Sequence, residues 1–293
     1  MTATIEDKGE TLSPEGTELL LRLLAGAPRR LSSAEFDGRA VWIKRFDAGK
    51  RPRAKWLHAR VSPLFPLPFL RASPVADAAG LAGREARKSA AFRAAGLPTP
   101  AIVHRSGAVL VLSDVAEIVE DALRRLRGPD PAAHDELLVE MAAALGRAHA
   151  RGLCHGRPHP RDLFRGRDGT WGFLDFEEEP EAAMPLAVAQ ARDVWLMFMQ
   201  IAGRSLQEGT DARAFAAWRA EAPSMVVPEL RKVVSFFSVL LPGLRLLKPL
   251  GLGKDGRRLL NATGFLRAAL AGSGSAVPEA AAETKPDGIG TPT

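Results

Sequence analysis

His155-Gly156-Arg157-Pro158-His159-Pro160-Arg161-Asp162 opens a segment that ends at Asp175, thirteen residues past Asp162, within Phe173-Leu174-Asp175-Phe176-Glu177. Two β-prone runs lie between the acids, Leu163 to Arg165 and Trp171 to Leu174, on either side of Asp168-Gly169. Short apolar runs flanking such a dipeptide predict a hairpin. A loop dense in proline and histidine thus places one acid at its end, and a strand places the second. Just upstream, Leu138, Met141, Leu145 and Ala148 recur at helical spacing within Ala133 to Arg151. Downstream, Met184 to Leu270 reads mostly as helix.

The N-terminal part has another character. A short amphipathic helix is expected from Glu15 to Leu24, with its leucines on a broad face. Ala34 to Phe36 and Ala40 to Phe46 flank Asp37-Gly38 and predict a hairpin. Glu85 to Ala95 reads as a helix stopped at Gly96-Leu97-Pro98. Strands are expected at Ala101 to His104 and Val109 to Leu112. A small β-rich half (15–112) followed by a larger helical half (113–271) is a two-lobed α+β plan. Residues 1–14 are expected to be loose. Gly272 to Thr293, with Val277 and Ile289 as its only sizeable apolar groups, is expected to be a disordered tail.

Composition bounds the class. Of 293 residues, 46% are hydrophobic and 25% charged, the balance of a folded protein rather than a disordered or fibrous one. The lone cysteine, Cys154, excludes an internal disulfide framework and a thiolate metal cluster, and it suits a reducing compartment. Met1 to Thr17 is polar and carries four acids, unlike a secretory signal. No run of about 18 apolar residues occurs. A cytoplasmic protein is expected, moderately basic, with 40 Lys and Arg against 34 Asp and Glu.

Two more residues belong beside the acids: Lys44, closing the strand Val41-Trp42-Ile43-Lys44, and Glu85 on the following helix. Taken singly, each has a plain structural reading. A lysine that closes a strand is often a solvated edge residue, and Glu85 among Arg84, Arg87 and Lys88 fits a solvated helix face. His155 and His159 fit packed loop histidines, and Asp175 fits a strand-ending cap.

In this order, Lys44, Glu85, the His155–Asp162 loop and Asp175 resemble the protein-kinase-like fold, in the bacterial branch of lipopolysaccharide-core and Kdo kinases and their RIO-like relatives. The likeness spans Ala40 to Leu196, and the spacing of Asp162 and Asp175 carries most of it. It implies an ATP-dependent phosphotransferase, chemistry that asks the protein mainly for positioning and positive charge. On that resemblance Lys44 positions the phosphates of ATP and Glu85 holds Lys44. Asp175 and Asp162 would be hard oxygen ligands for Mg²⁺, Asp162 standing where the family usually has asparagine. His155 heads the catalytic loop, and Arg157 would contact phosphate or acceptor. The acceptor would be a hydroxyl on a sugar, a lipid-linked molecule or a protein Ser/Thr.

The sequence also departs from that pattern. Two residues after His155 the family has a catalytic aspartate, and here stands Arg157, which cannot accept a proton. General-base work is worth ~10²–10⁴-fold, so a slow transferase with Asp162 as surrogate base and a module that holds nucleotide without turnover both remain open. No glycine-rich loop precedes Lys44, and Glu177 replaces a glycine after Asp175-Phe176. Asp193 resembles an aspartate that braces the catalytic loop, or else it is a helix-start acid. His149 is read as structural.

The 40 residues between Lys44 and Glu85 imply an insertion, near 48–76. Lys50, Arg51, Arg53, Lys55, Arg60 and Arg71 stand there without an acid, beside Trp56 and the run Leu64-Phe65-Pro66-Leu67-Pro68-Phe69-Leu70. Val239 to Arg258 is a second basic and apolar stretch. Such patches suit the inner face of an anionic membrane, at ~1 kcal/mol per base. They equally suit core leucines with a solvated basic rim. A peripheral membrane adaptor that binds no nucleotide is the third reading, and no recognised nucleic-acid motif is present.

Overall fold

A computed structural model describes residues 13–25, 29–36, 38–48, 62, 65–247 and 251–272. The expectations for residues 1–12, for the tail past Gly272, for Lys50, Arg51, Arg53, Lys55, Trp56 and Arg60, and for Lys248 lie outside the described residues.

Helix α1 (Pro14–Ala25) precedes strands β1 (Leu31–Phe36) and β2 (Arg39–Arg45), helix α2 (Ala78–Ala94) and the hairpin β3 (Ile102–Ser106) and β4 (Val109–Ser113). The four strands form one antiparallel sheet in the order β1-β2-β4-β3. Side chains alternate between faces along a strand. Val41 and Ile43 therefore pack with Leu20 of α1 and with Val109 and Val111 of β4. Lys44 and Phe46 take the opposite parity, on the face where Leu110 of β4 meets Ala82 of α2. Strand parity alone turns Lys44 toward α2.

Helix α2 starts about two turns before Glu85, at Ala78. Asp77 caps it, its carboxylate accepting from Gly80 N at 2.7 Å. Gly80 and Gly83 weaken the helical signal of that first stretch, and the cap offsets them. The stop at Gly96, with φ +75°, matches the expected terminator.

The helical part follows β5 (Glu117–Ile118). It comprises α3 (Val119–Leu126), α4 (Pro131–Ala150), the hairpin β6 (Leu163–Arg165) and β7 (Trp171–Phe173), and then α5 (Leu186–Ile201), α6 (Thr210–Glu221), α7 (Val226–Ser238), α8 (Leu241–Leu247) and α9 (Lys254–Gly272). β5, β6 and β7 pair into a second, small antiparallel sheet. The protein is α+β, a small antiparallel sheet beside a larger helical part. One apolar core, including Leu138, Met141, Phe198 and Trp218, unites the helices. Phe92 of α2 enters that core against Phe173 and Phe176, with ring centroids 5.2 and 4.6 Å apart. It ties the sheet to the helices, and its truncation to alanine would cost about 3–5 kcal/mol.

Part of the apolar run 64–70 is core rather than free edge: Phe69 is buried, edge-on to Phe236 at 5.4 Å, and Leu67 and Leu70 pack beside it. In the second stretch Val239, Leu240 and Leu246 are exposed. Among the described residues no helix is long and apolar enough to cross a membrane.

Candidate functional site

Lys44 reaches under α2 and meets three acids. Its Nζ lies 2.6 Å from Glu85 Oε2, 2.5 Å from Asp175 Oδ1 and 3.2 Å from Glu177 Oε1. The ammonium also lies 5.2 Å from the centre of the Phe46 ring. Lys44 and Glu85 are both buried. Burial alone would drive Lys44 toward its neutral form, but Glu85, Asp175 and Glu177 override it and hold the ammonium charged. Glu85 is pushed up to about 7, by burial first and by the nearby Asp175 charge, against the pull of Lys44. Burial would also raise Asp175, yet Lys44 brings it down to about 2.

Asp175 is held as well as paired. It is the one described non-glycine residue with positive φ, at 66°, a region that aspartate tolerates better than most. On one side Leu174 N donates to Asp162 O at 3.0 Å, and on the other Phe176 is buried against Phe92 and His155. The backbone is held on both sides, and the carboxylate pairs with Lys44. Strain of this kind, of the order of 1–3 kcal/mol, persists only where surroundings over-determine it.

The acids after Asp175 dock on the same helix. Arg30 binds the Glu177 carboxylate. Arg84 Nε meets Glu179 Oε2 at 3.1 Å, and Arg84 Nη1 donates to Glu177 O at 3.0 Å. Lys88 Nζ donates to Glu178 O at 3.0 Å and to His155 O at 3.3 Å, and pairs with Glu181 at 2.6 Å. Arg84, Glu85 and Lys88 are all buried, so this is no solvated face; of the neighbouring cations, Arg87 is the exposed one.

The loop 155–162 hangs from Asp193, in the middle of α5 rather than at its start. The Asp193 carboxylate accepts from His155 N at 2.7 Å and from Gly156 N at 2.9 Å, and Cys154 Sγ donates to it at 3.2 Å. Burial opposes its charge, but the neighbouring His149, His155 and Lys88 keep its pKa low. His149 Nε2 lies 3.7 Å away, a structural place. Gly156 has φ +105°, and a Cβ there would come within 2.8 Å of Glu178 Cβ, so glycine is required where loop and acid run touch. His155 is buried and donates from Nε2 to Leu174 O at 3.0 Å, and burial lowers its pKa. It orients the strand before Asp175.

Asp162, 7% exposed, is pushed up to about 8, by burial first and then by the Asp175 charge, against the pull of Arg157 and Arg161. The Asp175 charge and burial thus both disfavour ionisation of Asp162. Carboxylate oxygens of Glu85, Asp175 and Glu177 lie within 4.8 Å of one another. They are hard donors of the type a divalent cation takes, and here all three converge on Lys44 Nζ. Lys44, Glu85, Asp175 and Glu177 come together directly, and Asp162 adjoins them through Asp175. Arg157 is exposed, and its charge acts on Asp162. The sequence reading did not foresee Arg30, Arg84 and Lys88 as part of the assembly. One signal was present, the three acids Glu177-Glu178-Glu179 matched by the basic run of α2.

The fold and the site together define an α+β protein whose sheet, α2 and post-β7 segment close on one buried ionic cluster. No family model and no curated protein matches the chain.

Proposed function

We propose that the protein is a phosphotransferase of the two-lobed, protein-kinase-like fold, using ATP with Mg²⁺ and a hydroxyl acceptor on a sugar, a lipid-linked molecule or a protein Ser/Thr. The observation that carries this reading is the meeting of Lys44 with Glu85 and Asp175, residues 41 and 131 positions away, on one ammonium. Three elements far apart in the chain converge on a lysine kept charged in a buried place, a costly arrangement unless the charge is used.

Bound Mg-ATP would supply the activated phosphoryl group. Lys44 would bind phosphate oxygens, with Glu85 holding the ammonium in place as Asp175 turns to the metal. Asp175 and Asp162, with Glu177 beside them, would hold Mg²⁺. Asp162, with its carboxyl pushed up to about 8, would take a proton only in its ionised form, and it would share that work with holding Mg²⁺. It would stand in as surrogate base for the acceptor's hydroxyl proton, work that Arg157 cannot do. The alternative, a scaffold that holds nucleotide without turnover, draws its support from Arg157 itself.

Release of ADP from ATP under single-turnover conditions separates the two. The transferase reading expects slow turnover, a loss of ~10²-fold or more in Asp162→Asn and a gain in Arg157→Asp. The scaffold reading expects no turnover in either the wild type or Arg157→Asp, with Mg-ATP still protecting the fold.

A further inference from the structure

On the other side of Asp162 lies a cluster of the opposite sign. The His159 ring stands between two arginines: Nδ1 accepts from Arg161 N at 3.1 Å and faces Arg161 Nε at 3.4 Å, and Nε2 lies 3.3 Å from Arg204 Nη2. A neutral imidazole has a single acceptor nitrogen and a guanidinium only donates. With Nδ1 taken by Arg161, Nε2 carries the ring proton and meets Arg204 donor against donor. Burial first, then Arg204, Arg161, Arg258 and Arg157, bring His159 down to about 3, so the ring cannot relieve the mismatch by protonation.

The arginines are positioned by the fold. Arg204 follows α5 and is 10% exposed, paired with Glu120 at 2.9 Å. Arg258 of α9 lies over Gly203, where a Cβ would come within 2.9 Å of its Cγ. Its carboxylate neighbour, Asp255, is 3.5 Å away and 90% exposed, a weak pair. Arg161, Arg204 and Arg258 thus stand in this region with Glu120 and Asp255 as the paired carboxylates. The place has surplus donors and surplus positive charge, and it is short of acceptors.

We propose that Arg161, Arg204 and Arg258, converging on His159 with Arg157 beside them, form a binding site for a phosphate group carried by the acceptor. A phosphate offers several acceptor oxygens to several guanidinium forks, which a single carboxylate does not. Arg161 contacts His159 and precedes Asp162 in the chain, so an anion held here sits on the loop that carries Asp162. The anion site stands on the arginine geometry; its assignment to the acceptor rests on the phosphotransferase reading.

Titration of inorganic phosphate into the full chain by calorimetry tests it. Arg161→Gln and Arg258→Gln are each expected to weaken phosphate about tenfold, and the double variant more. Arg219→Gln, an exposed arginine on α6, removes the same formal charge and is expected to leave the affinity within about twofold. Circular dichroism confirms that each variant is folded. No saturable phosphate binding, or equal affinity in the double variant and in Arg219→Gln, overturns the proposal. Phosphatidylcholine vesicles doped with phosphatidic acid identify the source. Sedimentation lost in the double variant assigns a lipid-borne phosphate, and phosphate binding without sedimentation assigns a soluble one. Phosphate binding without any Mg-ATP stabilisation keeps the anion site and removes the phosphotransferase; the reverse pattern removes the anion site alone.

Discussion

Around Lys44 three carboxylates crowd one ammonium, and against His159 the guanidinium groups of Arg161 and Arg204 crowd one imidazole. The two clusters lie on either side of Asp162, yet they are built for different ends. The Lys44 cluster is mutually paired around a buried Lys44 and Glu85, with its backbone fixed by Phe92, Phe176 and Asp193. The His159 cluster is half-exposed and carries donors that face each other. A closed, paired cluster loses stability when one member goes, because the others are left charged in a low dielectric. An open cluster of like charge loses little when one member goes, and its loss registers in what it binds.

The largest expected effect is therefore at Lys44. Lys44→Met should lower stability by about 3–5 kcal/mol, since Glu85, Asp175 and Glu177 lose their shared partner. Adding Glu85→Leu should recover part of the loss, as a coupled pair does in a double-mutant cycle. Denaturant melts of the four proteins measure this, and a loss under about 1 kcal/mol with no coupling would mean that the cluster is effectively solvated.

Asp162 sharpens the contrast through pH. Its folded pKa of about 8 exceeds the usual 3.8, so the folded protein keeps a proton that the unfolded chain has released across that window. Stability should fall as pH rises from about 4 to 8. Asp162→Asn removes this slope: without magnesium, the variant should match the wild type near pH 4 and exceed it by a few kcal/mol near pH 8. Parallel melting curves across that range would contradict the assignment.

Removing the brace comes next. Asp193→Ala leaves the N–H groups of His155 and Gly156 without their acceptor, at about 2–3 kcal/mol. Amide exchange should speed up at 155–156 more than elsewhere in the helical part. Smallest is the other cluster: Arg161→Gln should change stability by no more than about 0.5 kcal/mol. A large loss there would show that this cluster, too, is a structural one.

The parts of this that were legible in the sequence are local. The parity of Val41 to Lys44, the hairpin around Asp168-Gly169, the stop at Gly96-Leu97-Pro98 and the spacing of Asp162 and Asp175 are all short-range patterns, and each element stands where they indicate. The rest depends on partners far along the chain. Arg84 and Lys88 look like surface cations until Glu179 and Glu181, more than 90 residues later, come to cover them. Arg258 reads as one base of a basic and apolar stretch, and only the approach of α9 to Gly203 sets it beside Arg204. Asp193 is ambiguous between a helix-start acid and a brace until α5 is seen to begin at Leu186. Charge burial is a tertiary fact, and periodicity carries none of it.

The most direct test of the central claim, that the Lys44 cluster receives nucleotide and metal, is thermal unfolding with and without Mg-ATP, beside an Asp175→Ala control. At about 100 times its dissociation constant, a ligand that binds the folded state alone should add ~2.7 kcal/mol. A magnesium-dependent upward shift is expected in the wild type and its loss in Asp175→Ala; no shift at saturating Mg-ATP, or an equal shift in both proteins, would mean that the Lys44 cluster does not receive them.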